Sequence, residues 1–108
     1  WRYGGGGCGK GNSQKITMKQ LLLTINGLVQ GVGFRWFIRR VANQLGLTGW
    51  VRNNPDGTVS VCAEGEEGKL LEFLEICRSG PFGAEVGKVV ETWTEVEGGN
   101  FVGFEIDW

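Results

Sequence analysis

The chain has 108 residues, with 11 Lys and Arg against 12 Asp and Glu, a net charge of -1 and no histidine. That length makes one domain burying roughly 60 to 65% of its unfolded surface, so an active site has to be small and close to the surface. The lack of histidine excludes the commonest general base, the commonest metal ligand and any phosphohistidine relay.

Residues 1–17, "WRYGGGGCGKGNSQKIT", are rich in glycine with no apolar period and read as a flexible leader or expression remnant, with the domain spanning 18–108. Gly4, Gly9 and Lys10 imitate a nucleotide phosphate loop, but Gly11 stands where a magnesium-binding hydroxyl is needed and no strand precedes it. From Lys19 the alternation of Leu21, Leu23 and Ile25 predicts a strand with one buried face. A glycine loop follows, and then Phe34, Phe37, Ile38, Val41, Ala42 and Leu45 recur at helical spacing up to a stop at Gly46. "LTGWVRNN" and "GTVSVCAEG" predict two strands joined by a "PDG" turn, the second with Val59, Val61 and Ala63 on one face. Residues 66–78 predict a second helix with Leu70, Phe73, Leu74 and Cys77 as its apolar stripe, acids in its first turn and Arg78 in its last. A long strand over Glu85 to Val96 follows the "GPFG" break, and Phe104, Ile106 and Trp108 alternate in a short final one. The order is β-α-β-β-α-β plus a short C-terminal strand, an α+β fold of the ferredoxin-like kind. It carries an antiparallel sheet with both helices on one face.

Charge is unevenly spread along the chain. Residues 1–55 contain eight cations and no acid, and all twelve carboxylates lie from Asp56 onward. Without the leader, Lys19, Arg35, Arg39, Arg40 and Arg52 still face no acid before Asp56, a bias that suits an anionic partner. The three cysteines form no CxxC pair, and no apolar run resembles a signal sequence or membrane span, so they read as reduced thiols in a cytoplasmic protein. None starts a thiol phosphatase pattern: six positions beyond Cys8, Cys62 and Cys77 stand Gln14, Gly68 and Gly83.

The stretch "GLVQGVGFRWF" joins the first strand to the first helix. A helix start leaves its first amides without backbone partners, and glycines let successive N–H groups turn toward one point, which makes an anion cradle. Gln30, Gly31, Val32, Gly33 and Phe34 supply the amides, and Arg35 adds a fork-shaped guanidinium suited to two phosphate oxygens. Arg35 lies off the apolar stripe at the helix end where the dipole disfavours a cation, a position that a bound anion would justify. Asn53, in register with Gly49 and Val51, is an amide at the end of a buried strand face; Asn54 beside it suits a turn.

"GLVQGVGFR", followed by "GLTGWVRNNPDGTVSV", "AEG" and a later "GP", resembles the acylphosphatase family over roughly Lys19 to Trp108. The resemblance implies a small enzyme that hydrolyses carboxyl-phosphate anhydrides to carboxylate and inorganic phosphate, with no metal or other cofactor. It implies that Arg35 binds the phosphoryl group with the loop amides and that Asn53 orients the attacking water. Such a substrate expels a carboxylate whose conjugate acid has a pKa of about 4, so neither an acid nor a metal is demanded. Two other readings share the order of elements. A non-catalytic RNA- or anion-binding module would stack bases on sheet aromatics, with Phe101, Val102 and Phe104 echoing such a motif, but Glu97 and Gly99 stand where a cation and a ring are required. Hydrogenase-maturation proteins open with similar domains, but this chain has Trp36 where Pro is expected and no zinc-ligand repeat. The expectation is therefore a monomer acting on a small acyl phosphate, without nucleic acid or membrane partners.

Overall fold

A computed structural model describes residues 18–31, 33–81, 83–97 and 99–107. The leader, Val32 of the cradle and Trp108 of the final strand thus lie outside the described residues. The elements are β1 (Met18–Leu28), α1 (Phe34–Gln44), β2 (Thr48–Asn53), β3 (Val59–Glu66), α2 (Glu67–Ser79), β4 (Glu85–Val96) and β5 (Phe104–Ile106). Sheet order is β4-β1-β3-β2-β5. The first four strands pair antiparallel, as the pattern predicts, while β5 runs parallel to β2 and makes the five-stranded sheet mixed. Its direction follows from the connection: the chain leaves β4 at one edge and crosses to the other before it pairs.

Alternation decides which face each strand buries. Leu21, Leu23, Ile25, Val51, Val59, Val61 and Ala63 lie on one face and share a single core with Phe34, Ile38, Val41, Ala42, Leu70, Phe73, Leu74 and Cys77 of the two helices. Burying a side chain such as Phe34 or Phe73 contributes roughly 1.5 to 3 kcal/mol by transfer. That makes the α1 and α2 stripes, rather than helix propensity, the source of their stability. Among the described residues no helix is long and apolar enough to cross a membrane.

The charge asymmetry partly resolves in space. Lys19 on β1 lies 3.6 Å from Glu67 and 4.0 Å from Glu95, and Arg52 on β2 lies 3.8 Å from Asp107. Those cations are matched by late carboxylates. Arg39 and Arg40 on α1 form no ion pair among the described residues, so the unbalanced positive charge concentrates on one helix.

Candidate active site

The site is assembled where three strands end. Val59 on β3 is the register partner of Ile25 on β1 and of Asn53 on β2. The chain therefore leaves β1 and turns into α1 beside the end of β2. Gly31 and Gly33 have φ of 79° and 74°, in the left-handed region, and Gly33 caps α1 without any side-chain hydrogen bond. A Cβ on either would meet nothing within 4 Å. Conformation rather than crowding thus asks for glycine here, and the space beside the loop stays open to a ligand. The first turn of α1 contains no acid, so its positive end is not neutralised from within.

Phe34 fixes this end of the helix. It is 1% exposed, stacks on Phe37 at 6.2 Å, and its burial carries the loop's last amide into a defined place. Arg35, half-buried, is the next residue and stands off the buried stripe.

The side chain of Gln30 performs a task its position in the sequence did not announce. Its Nε2 donates to the carbonyl oxygens of Asn54 and Thr58, each at 2.9 Å. Those two residues close the β2–β3 turn, where Asn54 N–H donates to Thr58 O at 2.8 Å. Gln30 therefore ties the cradle to the turn that follows Asn53. The turn is stiffened further: Asn54 Nδ2 donates to Thr58 Oγ1 (2.9 Å) and Ser60 Oγ (2.7 Å), and Asp56 Oδ1 accepts from Thr58 Oγ1 (2.6 Å) and Thr58 N–H (3.0 Å). The Thr58 hydroxyl, and then its amide, hold the Asp56 carboxyl below its ordinary value of 3.8. An aspartate two residues before a threonine is a legible turn signal. Gln30 offered none, because its partners lie 24 and 28 residues away.

With this frame in place, Asn53 is distinguished by what surrounds its amide. Asn54 takes the turn-forming role, and Asn53 Oδ1 is enclosed with no hydrogen-bond donor among the described residues. An acceptor in that state is uncommon in a folded protein. Among the described residues no group of three His, Cys, Asp or Glu is gathered as a metal would need. Cys62 and Cys77 are buried and unpaired; burial pushes the Cys77 thiol up to about 12.

The family profile for acylphosphatases matches residues 21–106. The chain belongs to the acylphosphatase family. An acylphosphatase of Thermobifida fusca is 48% identical over 90 residues, covering 82% of this chain and 98% of that one. Among solved structures, the acylphosphatase of Bacillus subtilis aligns with a TM-score of 0.80 and 34% identity, covering 83% of this chain and 99% of its own. A full-length HypF in a phosphate- and nucleotide-bound form aligns at 0.73 and 29% identity, but this chain covers only 12% of it. As a member of the acylphosphatase family the chain is a hydrolase of acyl phosphates. The rival RNA-binding reading also loses its ring: Phe104 is 2% exposed and packs edge-on against Phe73 at 6.2 Å in the core.

Proposed function

We propose that the amides of Gln30, Gly31, Val32, Gly33 and Phe34, together with Arg35, hold the phosphoryl group of an acyl phosphate, and that Asn53 orients the water that attacks it. The single observation that carries this assignment is the enclosed, unsatisfied Oδ1 of Asn53, on the residue just before the turn whose Asn54 and Thr58 carbonyls accept from Gln30 of the glycine loop. A water donating one proton to that oxygen satisfies it and keeps a lone pair for phosphorus. Asn is too weak a base to take the proton, so the proton passes to a phosphoryl oxygen as the new O–P bond forms. The bond from phosphorus to the acyl oxygen breaks and releases a carboxylate that needs no protonation at neutral pH. Amides and guanidinium spread the charge on the equatorial oxygens, the task that dominates phosphoryl transfer.

No metal takes part in this scheme, and turnover of benzoyl phosphate is expected to be indifferent to chelator and inhibited competitively by inorganic phosphate. Arg35→Ala removes both phosphate inhibition and turnover. Asn53→Ala lowers kcat by about a hundredfold or more while phosphate inhibition persists, because it touches water and not the anion. Full activity in Asn53→Ala refutes the assigned role. The buried reduced thiols of Cys62 and Cys77 support action in a reducing compartment such as the cytoplasm. We also read the chain as working as a monomer on small molecules, without nucleic acid or a membrane.

A further inference from the structure

Residues 18–108 hold twelve carboxylates against eight Lys and Arg, so the overall field of the folded chain repels a dianionic substrate. The end of the sheet that carries the cradle shares this difficulty. Two exposed carboxylates stand there: Asp56 in the β2–β3 turn, three residues beyond Asn53, and Glu85, the register partner of Leu28 at the end of β1. Neither forms an ion pair among the described residues.

The middle of α1 supplies an offset. The helix contains no carboxylate, so neither Arg39 nor Arg40 has an acid three or four residues away, where a helical arginine ordinarily finds one. Both also lack an ion pair across the fold among the described residues. Arg39 is nevertheless fixed in place: its Nε donates to Phe104 O at 3.3 Å, and its guanidinium lies 5.9 Å from the centroid of the Trp36 ring. A positive charge is thereby held on the outer side of α1, with Arg40 exposed beside it.

Helix rise sets how far these charges are from the cradle. At about 1.5 Å per residue, Arg39 and Arg40 lie roughly 7.5 to 9 Å along the axis from Phe34, whose amide closes the loop. The Debye length is about 30 Å at 0.01 M ionic strength and about 10 Å at 0.1 M, so their field reaches the loop in dilute buffer and fades in salt. Such a field raises the local concentration of an anion without any contact to it.

We propose that Arg39 and Arg40 are capture residues, whose field offsets Asp56 and Glu85 and draws the acyl phosphate dianion to the cradle. The inference rests on the reading that the glycine loop and Arg35 hold the phosphoryl group. Substrate and transition state carry the same net charge, so the effect falls on KM rather than kcat. One unit charge acting on a dianion about 12 Å away in water of low salt is worth roughly twofold in affinity, and its reversal about fivefold.

The test is steady-state turnover of benzoyl phosphate at ionic strengths of about 0.01 M and about 0.5 M. At low ionic strength Arg40→Glu is expected to raise KM about fivefold with kcat within about twofold, and to weaken inhibition by inorganic phosphate in parallel. Arg40→Lys keeps the charge and therefore the KM. Glu85→Gln lowers KM about twofold, an opposite sign that a loss of packing does not produce. In the high salt every difference shrinks below about 1.5-fold. An unchanged KM for Arg40→Glu at low ionic strength, or a rise of equal size at both, overturns the capture role while leaving the phosphoryl reading standing. Turnover and phosphate inhibition retained by Arg35→Ala would instead remove the phosphoryl reading, and the capture role with it.

Discussion

At the scale of single residues, the two amides of the site differ in what holds them. Asn53 has an enclosed oxygen without a donor among the described residues, whereas Gln30 spends its NH₂ group on two carbonyls of the neighbouring turn. The sequence marked Arg35 and Asn53 as candidates because each was poorly suited to its local place. It valued Gln30 only for its backbone, since a side chain that bridges across the chain leaves no periodic trace. The bridge supports a prediction separate from catalysis itself. Gln30→Ala leaves the Asn54 and Thr58 carbonyls short of one donor each and frees the loop from the turn. Two hydrogen bonds are lost at a half-buried site, so stability falls by about 1 to 2 kcal/mol in urea titration. Because the loop then samples wrong geometries, kcat/KM for benzoyl phosphate falls about tenfold, mostly through KM. An unchanged KM shows that the tie is not what shapes the cradle.

Elements were the most legible level, and their weak points are the turns and close approaches. Alternation located β1 and β3, the "GPFG" break marked the start of β4, and helical spacing located the buried stripes of α1 and α2, because burial of one face imposes period 2 or 3.6 on the chain. Gly49 illustrates what such patterns omit. It lies inside β2 with φ of 143°, and a Cβ there would overlap the carbonyl of Cys62 on β3. Gly33 has an unusual φ as well but open space around it. Gly49→Ala is therefore expected to cost about 3 kcal/mol or more, lowering Tm by roughly 10 to 20 °C, while Gly33→Ala costs only about 1 to 2 kcal/mol. Equal melting temperatures for the two variants contradict this ranking. The β2–β3 turn carries a pH signature. The Asp56 carboxyl is held below 3.8 by the Thr58 hydroxyl and amide, so its ionised form favours the folded state. The contribution is fully present above the unfolded value and is lost as pH falls through the lower folded value. Asp56→Ala is thus less stable than the unsubstituted chain near neutral pH, and the gap closes as pH drops below 3.8. A gap that persists in acid assigns the effect to something other than the carboxylate.

For the whole molecule, long-range closure was the part the sequence could not disclose. The parallel pairing of β5 with β2 depends on where the chain crosses the sheet, and a three-residue strand has too few side chains to reveal its partner. Glu64 is a second case. It points away from the helices, on the face opposite Val61 and Ala63, yet it is 1% exposed. Its Oε2 accepts from Gln20 Nε2 on β1 at 3.2 Å and from Asn100 Nδ2, 36 residues away, at 2.5 Å, while Oε1 has no partner among the described residues. Composition says that a glutamate belongs on the surface, and only the segment leading into β5, brought over the sheet, makes it an exception. This carboxylate therefore couples β1, β3 and the C-terminal segment. It lies five residues along β3 from Val59, about 17 Å from the strand ends that build the site. Its loss should consequently unsettle the fold without touching the chemistry. Removing Glu64 leaves the Gln20 amide unsatisfied in a half-buried position and opens a cavity, so Glu64→Ala loses about 3 kcal/mol. Asn100 is exposed and regains water when its partner goes, so Asn100→Ala loses only about 1 kcal/mol. The double variant is expected to be less destabilised than the sum, by about 1 kcal/mol, because both changes delete one shared hydrogen bond. Urea unfolding of the four species measures the coupling, and kcat/KM on benzoyl phosphate at a temperature where all are folded should stay within about twofold of the unsubstituted chain. Strict additivity would mean that Asn100 and Glu64 do not act together, and a large loss of turnover in Glu64→Ala would place this carboxylate in communication with the cradle after all.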